Sequence, residues 1–325
     1  MGEFDLIRQF FQRPVRRAAL GVGDDCALLA PAPGMQLAVS SDMLVEGRHF
    51  FADVHPAALG HKALAVNLSD LAACGARPLA FTLALSLPRV DADWLQAFAG
   101  GLLALADAHD CELVGGDTTG GPLNICITVF GEVPPGQALL RSGARASDDV
   151  WVSGTLGDAR LALEALRGRI ALPADALAAA RQRLERPTPR VALGQALQGV
   201  ATSAIDVSDG LLGDLGHILA ASNVGACLDA SVAIKLIATS AYGSSARGQF
   251  DLEILRQCTL AGGDDYELAF TAPPARQAAV LAAAHQAGTP VTRIGRIEAG
   301  AGLRLVDEAG RALPVQHYAS FDHFA

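Results

Sequence analysis

Apolar and polar residues alternate along this chain in two rhythms. PAALGHKALAVNLSDLAACGA, beginning at Pro56, sets Leu64, Leu68 and Leu71 at helical spacing and predicts a helix that stops at Gly75. DADWLQAFAGGLLALADAHD predicts a second helix, with Trp94, Phe98 and Leu102 on one stripe. Between and around them, MQLAVSSDML, PLAFTLALSLP and LNICITVFGEV read as strands, the middle one buried on both faces. This first α/β unit closes near residue 133.

VPPGQALLRSGARASDD, rich in Pro, Gly and polar residues, reads as a linker, after which DVWVSGTLGDARLALEAL restarts with a strand and a helix. The second half repeats the theme: ATSAIDVSDGLLGDLGHILAAS reads as strand, loop and helix, and GGDDYELAFTA and VTRIGRI as strands around a helix from about Pro274 to Ala287. NLSDL in the first half echoes DVSDGL in the second, and GGDTT echoes GGDDY, a pattern that suggests duplication. Two domains are expected, 1–137 and 138–325, since 325 residues exceed the size at which one core usually stops growing.

Composition narrows the function classes. A net charge of -9, with no basic run longer than RPVRR (Arg13 to Arg17), argues against a nucleic-acid or anionic-membrane surface. No stretch reaches about 18 uninterrupted apolar residues, and the acidic start MGEFD is unlike a signal peptide, so a cytoplasmic protein is expected. The six cysteines have neither paired nor zinc-ligand spacing and are read as reduced, small core residues.

Candidate chemistry lies in the acids. Aspartates gather beside Gly, Ser and Thr in six places: Asp24 and Asp25, Asp42, Asp70, Asp117, Asp206 with Asp209, and Asp264 with Asp265. Singly, each suits a helix cap or turn. Asp70 resists that reading because it falls inside a helical pattern, and Asp206 because it ends an apolar strand. Converging carboxylates repel by about 4 kcal/mol per close pair at an effective dielectric near 20, so the set calls for shared cations. All-oxygen donors select hard ions such as Mg²⁺ or Mn²⁺. GVGDD resembles a phosphate loop lacking its lysine; a metal between carboxylate and phosphate resolves the contradiction, with Arg141 and glycine N–H groups completing a cradle.

GVGDDCALL, AVSSDMLVEGRHF, KALAVNLSDLAACGARP, LVGGDTT, LLRSGA, AIDVSDGLLGDLGHI, GGDDYEL and YASFDHFA occur in one order, and together they resemble the thiamine-monophosphate kinase family of the aminoimidazole ribonucleotide synthetase superfamily. The resemblance implies an α/β chain of the α+β type: two domains of that fold, with mixed sheets covered by helices. The N-terminal domain would bind ATP and metal and dimerise, and the C-terminal domain would complete the active-site cleft. It implies phosphoryl transfer from ATP to thiamine monophosphate with several Mg²⁺ ions in a cytoplasmic homodimer. By this likeness Asp25, Ser40, Ser41, Asp42, Asp70, Asp117, Asp206 and Asp209 match metal positions, with Asp42, Asp70 and Asp117 catalytic. Gly116, Asp117, Arg141 and Ser208 match ATP positions, and His49, Asp264 and Phe321 match acceptor positions. Three residues depart from the family pattern: Ser41 stands for Thr, Asp264 for Glu, and Phe321 for Tyr or Trp. A two-metal phosphohydrolase and a non-catalytic Mg-nucleotide-binding protein remain as alternatives.

Overall fold

The computed structural model describes residues 2–237 and 252–318. The chain divides into two compact units, Met1–Leu71 with Ala76–Ala138, and Ala72–Gly75 with Leu139–Ala325.

The first unit starts with α1 (Glu3–Leu6) and a π turn (Ile7–Phe11), then builds a sheet from β1 (Gln36–Val45), β2 (Arg77–Leu87), β3 (Glu112–Gly120) and β4 (Asn124–Val133) in the order β1-β4-β2-β3. Only β2 and β3 run parallel. Helices α2 (Pro56–Ala73) and α3 (Ala92–Ala108) follow the predicted stripes, with Leu64, Leu68, Phe98 and Leu102 fully buried. They pack backbone to backbone: a Cβ on Gly101 would lie 1.9 Å from the Ala57 carbonyl oxygen, which only glycine permits. RPVRR pairs with acids distant in sequence, Arg13 with Asp107 and Arg16 and Arg17 with Asp110.

In the second unit, β5 (Asp149–Ser153) leads through α4 (Asp158–Leu166), α5 (Ala174–Glu185) and α6 (Val191–Ala196) to β6 (Ser203–Val207). Then come α7 (Leu211–Ser222), β7 (Gly225–Asp229), α8 (Ala230–Ala233), α9 (Leu252–Ala261), β8 (Glu267–Ala272), α10 (Gln277–Gln286), β9 (Val291–Glu298), β10 (Gly302–Val306) and β11 (Ala312–Leu313). Among the described residues, seven strands form one mixed sheet in the order β11-β10-β7-β9-β5-β8-β6. Its adjacent strands β5, β8 and β6 are buried at every position, so they carry mostly apolar residues without alternation.

The apparent internal echo lands on unlike elements. NLSDL is helical interior in α2, whereas VSDG is the turn between β6 and α7; GGDTT lies inside β3, whereas GGDD precedes β8. The sheets also differ in strand number and order, so the short repeats mark similar local chemistry rather than equivalent positions.

Candidate functional site

Two clusters of the sequence-selected residues form in the first unit. In one, β1 alternates: its even positions Ser40 and Asp42 are half-buried, whereas Leu37, Val39, Ser41 and Met43 are exposed. Ser40 Oγ donates to the Asp70 carboxylate. The Asp42 N–H donates to Asn67 Oδ1 at 3.0 Å, and Asn67 is itself fixed by donating to the Ala63 carbonyl one helical turn back at 2.9 Å. A helix facing a strand thus brings Ser40, Asp42 and Asp70 together. Ser41 points the other way: its hydroxyl meets Thr128 Oγ1 at 3.0 Å and the Ile127 carbonyl at 3.1 Å. The Ser41 hydroxyl therefore lies on the face opposite Ser40 and Asp42, because adjacent strand residues face opposite sides.

Just beyond β1, His49 Nδ1 accepts from the Val45 N–H at 3.0 Å. That bond fixes the proton of the neutral ring on Nε2, a donor suited to a phosphate oxygen. Buried Lys62 donates to the His49 carbonyl at 3.2 Å and so holds the same turn.

The second cluster lines a groove of about 670 Å³. Phe4, Ile7 and Phe11 form an apolar wall, and Gly23, Asp24, Asp25, Gly116 and Asp117 a polar one. The segment carrying the glycines is tied down at Glu112, whose carboxylate accepts N–H groups of Arg16, Arg17 and Ala18 at 2.7 to 3.2 Å. Burial opposes the Glu112 charge, but these bonds outweigh it and hold its pKa below the usual range. Asp24 accepts from the Asp25 N–H at 2.8 Å and shapes the turn. Gly116 has φ +149°, and a Cβ there would lie 1.9 Å from the Leu83 carbonyl oxygen. Its glycine is required by close approach of β2.

These clusters do not surround one ion. Asp42, Ile127, Leu83 and Gly116 lie in register across the sheet. Three inter-strand steps of about 4.8 Å therefore separate the backbones of Asp42 and Gly116 by roughly 14 Å. Accordingly, among the described residues no three His, Cys, Asp or Glu side chains form a group able to hold a metal. Within the first unit the acids thus stand in two sets, Asp42 and Asp70 on β1 and α2, and Asp25 and Asp117 along the groove.

The second unit carries another set. Asp206 ends β6 almost completely buried, followed by half-buried Ser208 and Asp209. The turn after it is held by a residue that sequence reasoning missed: one oxygen of buried Asp214 accepts the N–H groups of Ser208, Asp209 and Gly210, each at 3.0 Å. Burial pushes the Asp214 carboxyl up to about 6, against the opposing pull of those N–H groups. Its signal in the sequence was an acid four residues after a glycine, inside an apolar helix. Asp264 is half-buried, its N–H bonded to the Ser208 carbonyl at 2.9 Å. Arg141 is exposed. Phe321 lies outside the described residues; Tyr318, three residues before it, packs in the core and donates its hydroxyl to Glu253 at 3.2 Å.

The donor chemistry fits magnesium. The acid sets offer carboxylate and hydroxyl oxygen without histidine or cysteine ligands, and among the described residues Asp25, Asp117 and Asp209 form no ion pair with a basic side chain.

All six cysteines are unpaired, but only Cys111 and Cys258 are core residues as read from sequence; Cys26 is exposed. Burial pushes both core thiols up to about 12. At pH 8 their thiolate fraction is then on the order of 10⁻⁴. Mass spectrometry after brief iodoacetamide treatment should find Cys26 modified and Cys111 and Cys258 untouched until urea is added. Native labelling of the two core thiols would contradict their packing.

The AIR synthase related protein profiles match both halves, the N-terminal domain over residues 23–133 and the C-terminal domain over 135–308. Thiamine-monophosphate kinase of Salmonella typhimurium is 46% identical, covering 100% of this chain and 98% of the relative. The Escherichia coli enzyme of the same name is 44% identical with the same coverage. Among solved structures, thiamine-monophosphate kinase from Stenotrophomonas maltophilia superposes with a TM-score of 0.82 at 46% identity, covering 95% of this chain and 96% of that one. AaThiL complexed with AMPPCP and TMP superposes at 0.76 with 30% identity, covering 91% and 89%.

Proposed function

The chain belongs to the AIR synthase related family, and we propose that within it this protein transfers the γ-phosphoryl group of ATP to thiamine monophosphate, giving thiamine diphosphate and ADP. The end-to-end match to thiamine-monophosphate kinases carries this reading.

The groove between Phe11 and Asp117 supports placing the nucleotide there, its base against Phe4, Ile7 and Phe11 and its phosphates near Gly23 and Gly116. Ser208 and Arg141 complete the ATP contacts. His49, Asp264 and Phe321 take the thiamine monophosphate, with His49 donating from Nε2. Asp25, Ser40, Asp42, Asp70, Asp117, Asp206 and Asp209 would hold magnesium, with Ser41 limited to a backbone contact. When bound, magnesium supplies the positive charge that lets an acidic site accept polyphosphate.

The acceptor is itself a phosphate, with a second pKa near 6, so most of it is dianionic at pH 7 and no strong general base is needed. A terminal phosphate oxygen forms the new bond to the γ-phosphorus as the bond to the bridging oxygen of ADP breaks. The protein's task is to align the two anions and keep water out of line. The absence of a His–Asp base pair from the candidate roles follows from that chemistry.

Two coarser features belong with this reading. Leu37, Val39 and Met43 are 46%, 55% and 52% exposed on the sheet's edge strand, an apolar face suited to a second copy in a homodimer. Unpaired cysteines and the use of ATP fit the cytoplasm.

Incubation with ATP, Mg²⁺ and thiamine monophosphate, followed by chromatography, should yield thiamine diphosphate and equal ADP, and EDTA should stop both. Inorganic phosphate without thiamine diphosphate would establish a hydrolase instead; unchanged ATP would leave a nucleotide-binding protein.

A further inference from the structure

Asp264 belongs to a backbone that is unusual on both sides of its neighbour. In GGDDYE, Asp264 has φ +68° and Tyr266 φ +51°, a left-handed conformation unfavourable for residues carrying a Cβ. Such geometry persists only where the surroundings impose it. Here the Asp264 N–H donates to the Ser208 carbonyl and the Tyr266 N–H to the Val207 carbonyl, both at 2.9 Å. These two bonds fasten the segment to the end of β6.

The residue between them provides the third attachment. Asp265 is 1% exposed, and its Oδ2 accepts the Gly157 N–H at 2.8 Å, at the start of α4. Its other oxygen, Oδ1, has no hydrogen-bond partner among the described residues. A buried, half-satisfied carboxyl costs stability compared with an apolar side chain of similar shape, so packing alone does not account for it. Alternation of the two left-handed residues with this inward carboxyl instead fixes where Asp264 stands.

We infer that Asp265 is a positioning residue for the acceptor: anchored on Gly157, it holds Asp264 in place to receive thiamine monophosphate. The inference rests on the kinase reading and on Asp264 as an acceptor contact. Burial drives the Asp265 carboxyl well above the usual range, and the anchoring role asks only that one oxygen accept the Gly157 N–H. An amide can do the same. Asp158, Glu267 and Arg183 are its charged neighbours, and Arg183 is engaged by Glu267 at 2.7 Å.

Steady-state kinetics on the full-length enzyme test this. Asp265→Ala should raise KM for thiamine monophosphate about tenfold with KM for ATP within about twofold, since misplacing one binding group acts on its own ligand. Asp265→Asn should restore the wild-type KM. If the alanine variant is poorly folded, Asp265→Leu removes the acceptor at nearly constant volume and should show the same split. A folded Ala or Leu variant with unchanged KM for thiamine monophosphate overturns the inference alone, as does an Asn variant no better than Ala. A wild-type enzyme that makes no thiamine diphosphate overturns the kinase reading and this inference with it.

Discussion

Asp42→Asn should lower kcat roughly a thousandfold, about 4 kcal/mol of transition-state stabilisation, while leaving the fold intact. The fold is protected because the backbone at this position is anchored independently of the side chain, through the Asp42 N–H and Asn67 Oδ1 at 3.0 Å. Asparagine has the shape of aspartate and lacks only its charge. Loss of that charge removes a hard oxygen donor beside Ser40 and Asp70, where the proposed magnesium must be held against polyphosphate. Thiamine diphosphate formation across a magnesium titration reads the effect, with melting temperature as the control. A variant that keeps wild-type kcat would remove Asp42 from the metal set. Asp24→Asn is the informative contrast: its carboxylate closes a turn, so an amide oxygen should replace it with little loss.

Glu267→Ala is expected to destabilise the protein by about 3–5 kcal/mol, the cost of removing one member of a buried ion pair. Glu267 is fully buried and accepts from Arg183 Nη2 at 2.7 Å, Arg190 Nε at 2.6 Å and Ser153 Oγ at 2.5 Å. Ser153 Oγ accepts the Leu268 N–H at 2.8 Å, so the same carboxylate steadies the start of β8. Alanine would strand two largely buried guanidinium groups without their counter-ion. Equilibrium urea unfolding measures the loss. Arg169→Ala, which breaks an exposed contact to Glu164, should cost under about 1 kcal/mol and sets the scale. A loss at Glu267 no larger than that would show that the network contributes little net stability.

Much of the candidate site was legible because its residues are local. Ser40 and Asp42, or Ser208 and Asp209, are neighbours in sequence, and a short motif is enough to select them. The helix stripes through Leu64, Leu68 and Leu71 were equally plain, since one amphipathic face repeats within a single segment. What stayed hidden depends on partners far along the chain. Asp265 meets Gly157, and Glu267 meets Ser153, Arg183 and Arg190, across spacings of 77 to 114 residues. No local pattern distinguishes such acids from surface ones. Strand β3 was hard to see for a different reason: GGDTT has turn composition, yet close approach to β2 makes Gly116 extended rather than bent. The spread of the acids across the sheet also follows from register, which composition does not contain.

Strand β1 uses its two sides for different purposes, with Ser40 and Asp42 toward α2 and Leu37, Val39 and Met43 on the opposite face. Because the side-chain period is two, losing or gaining one residue early in this strand would exchange the faces in a single step. Apolar groups would then meet Asn67 and Asp70, and Ser40 and Asp42 would face outward. Point changes can alter either face separately, but length variation cannot. Insertions and deletions tolerated in this region of the gene should therefore fall in the loops on either side, between residues 26 and 35 or, past the His49 turn, between 51 and 55, and leave the ten residues of β1 unbroken.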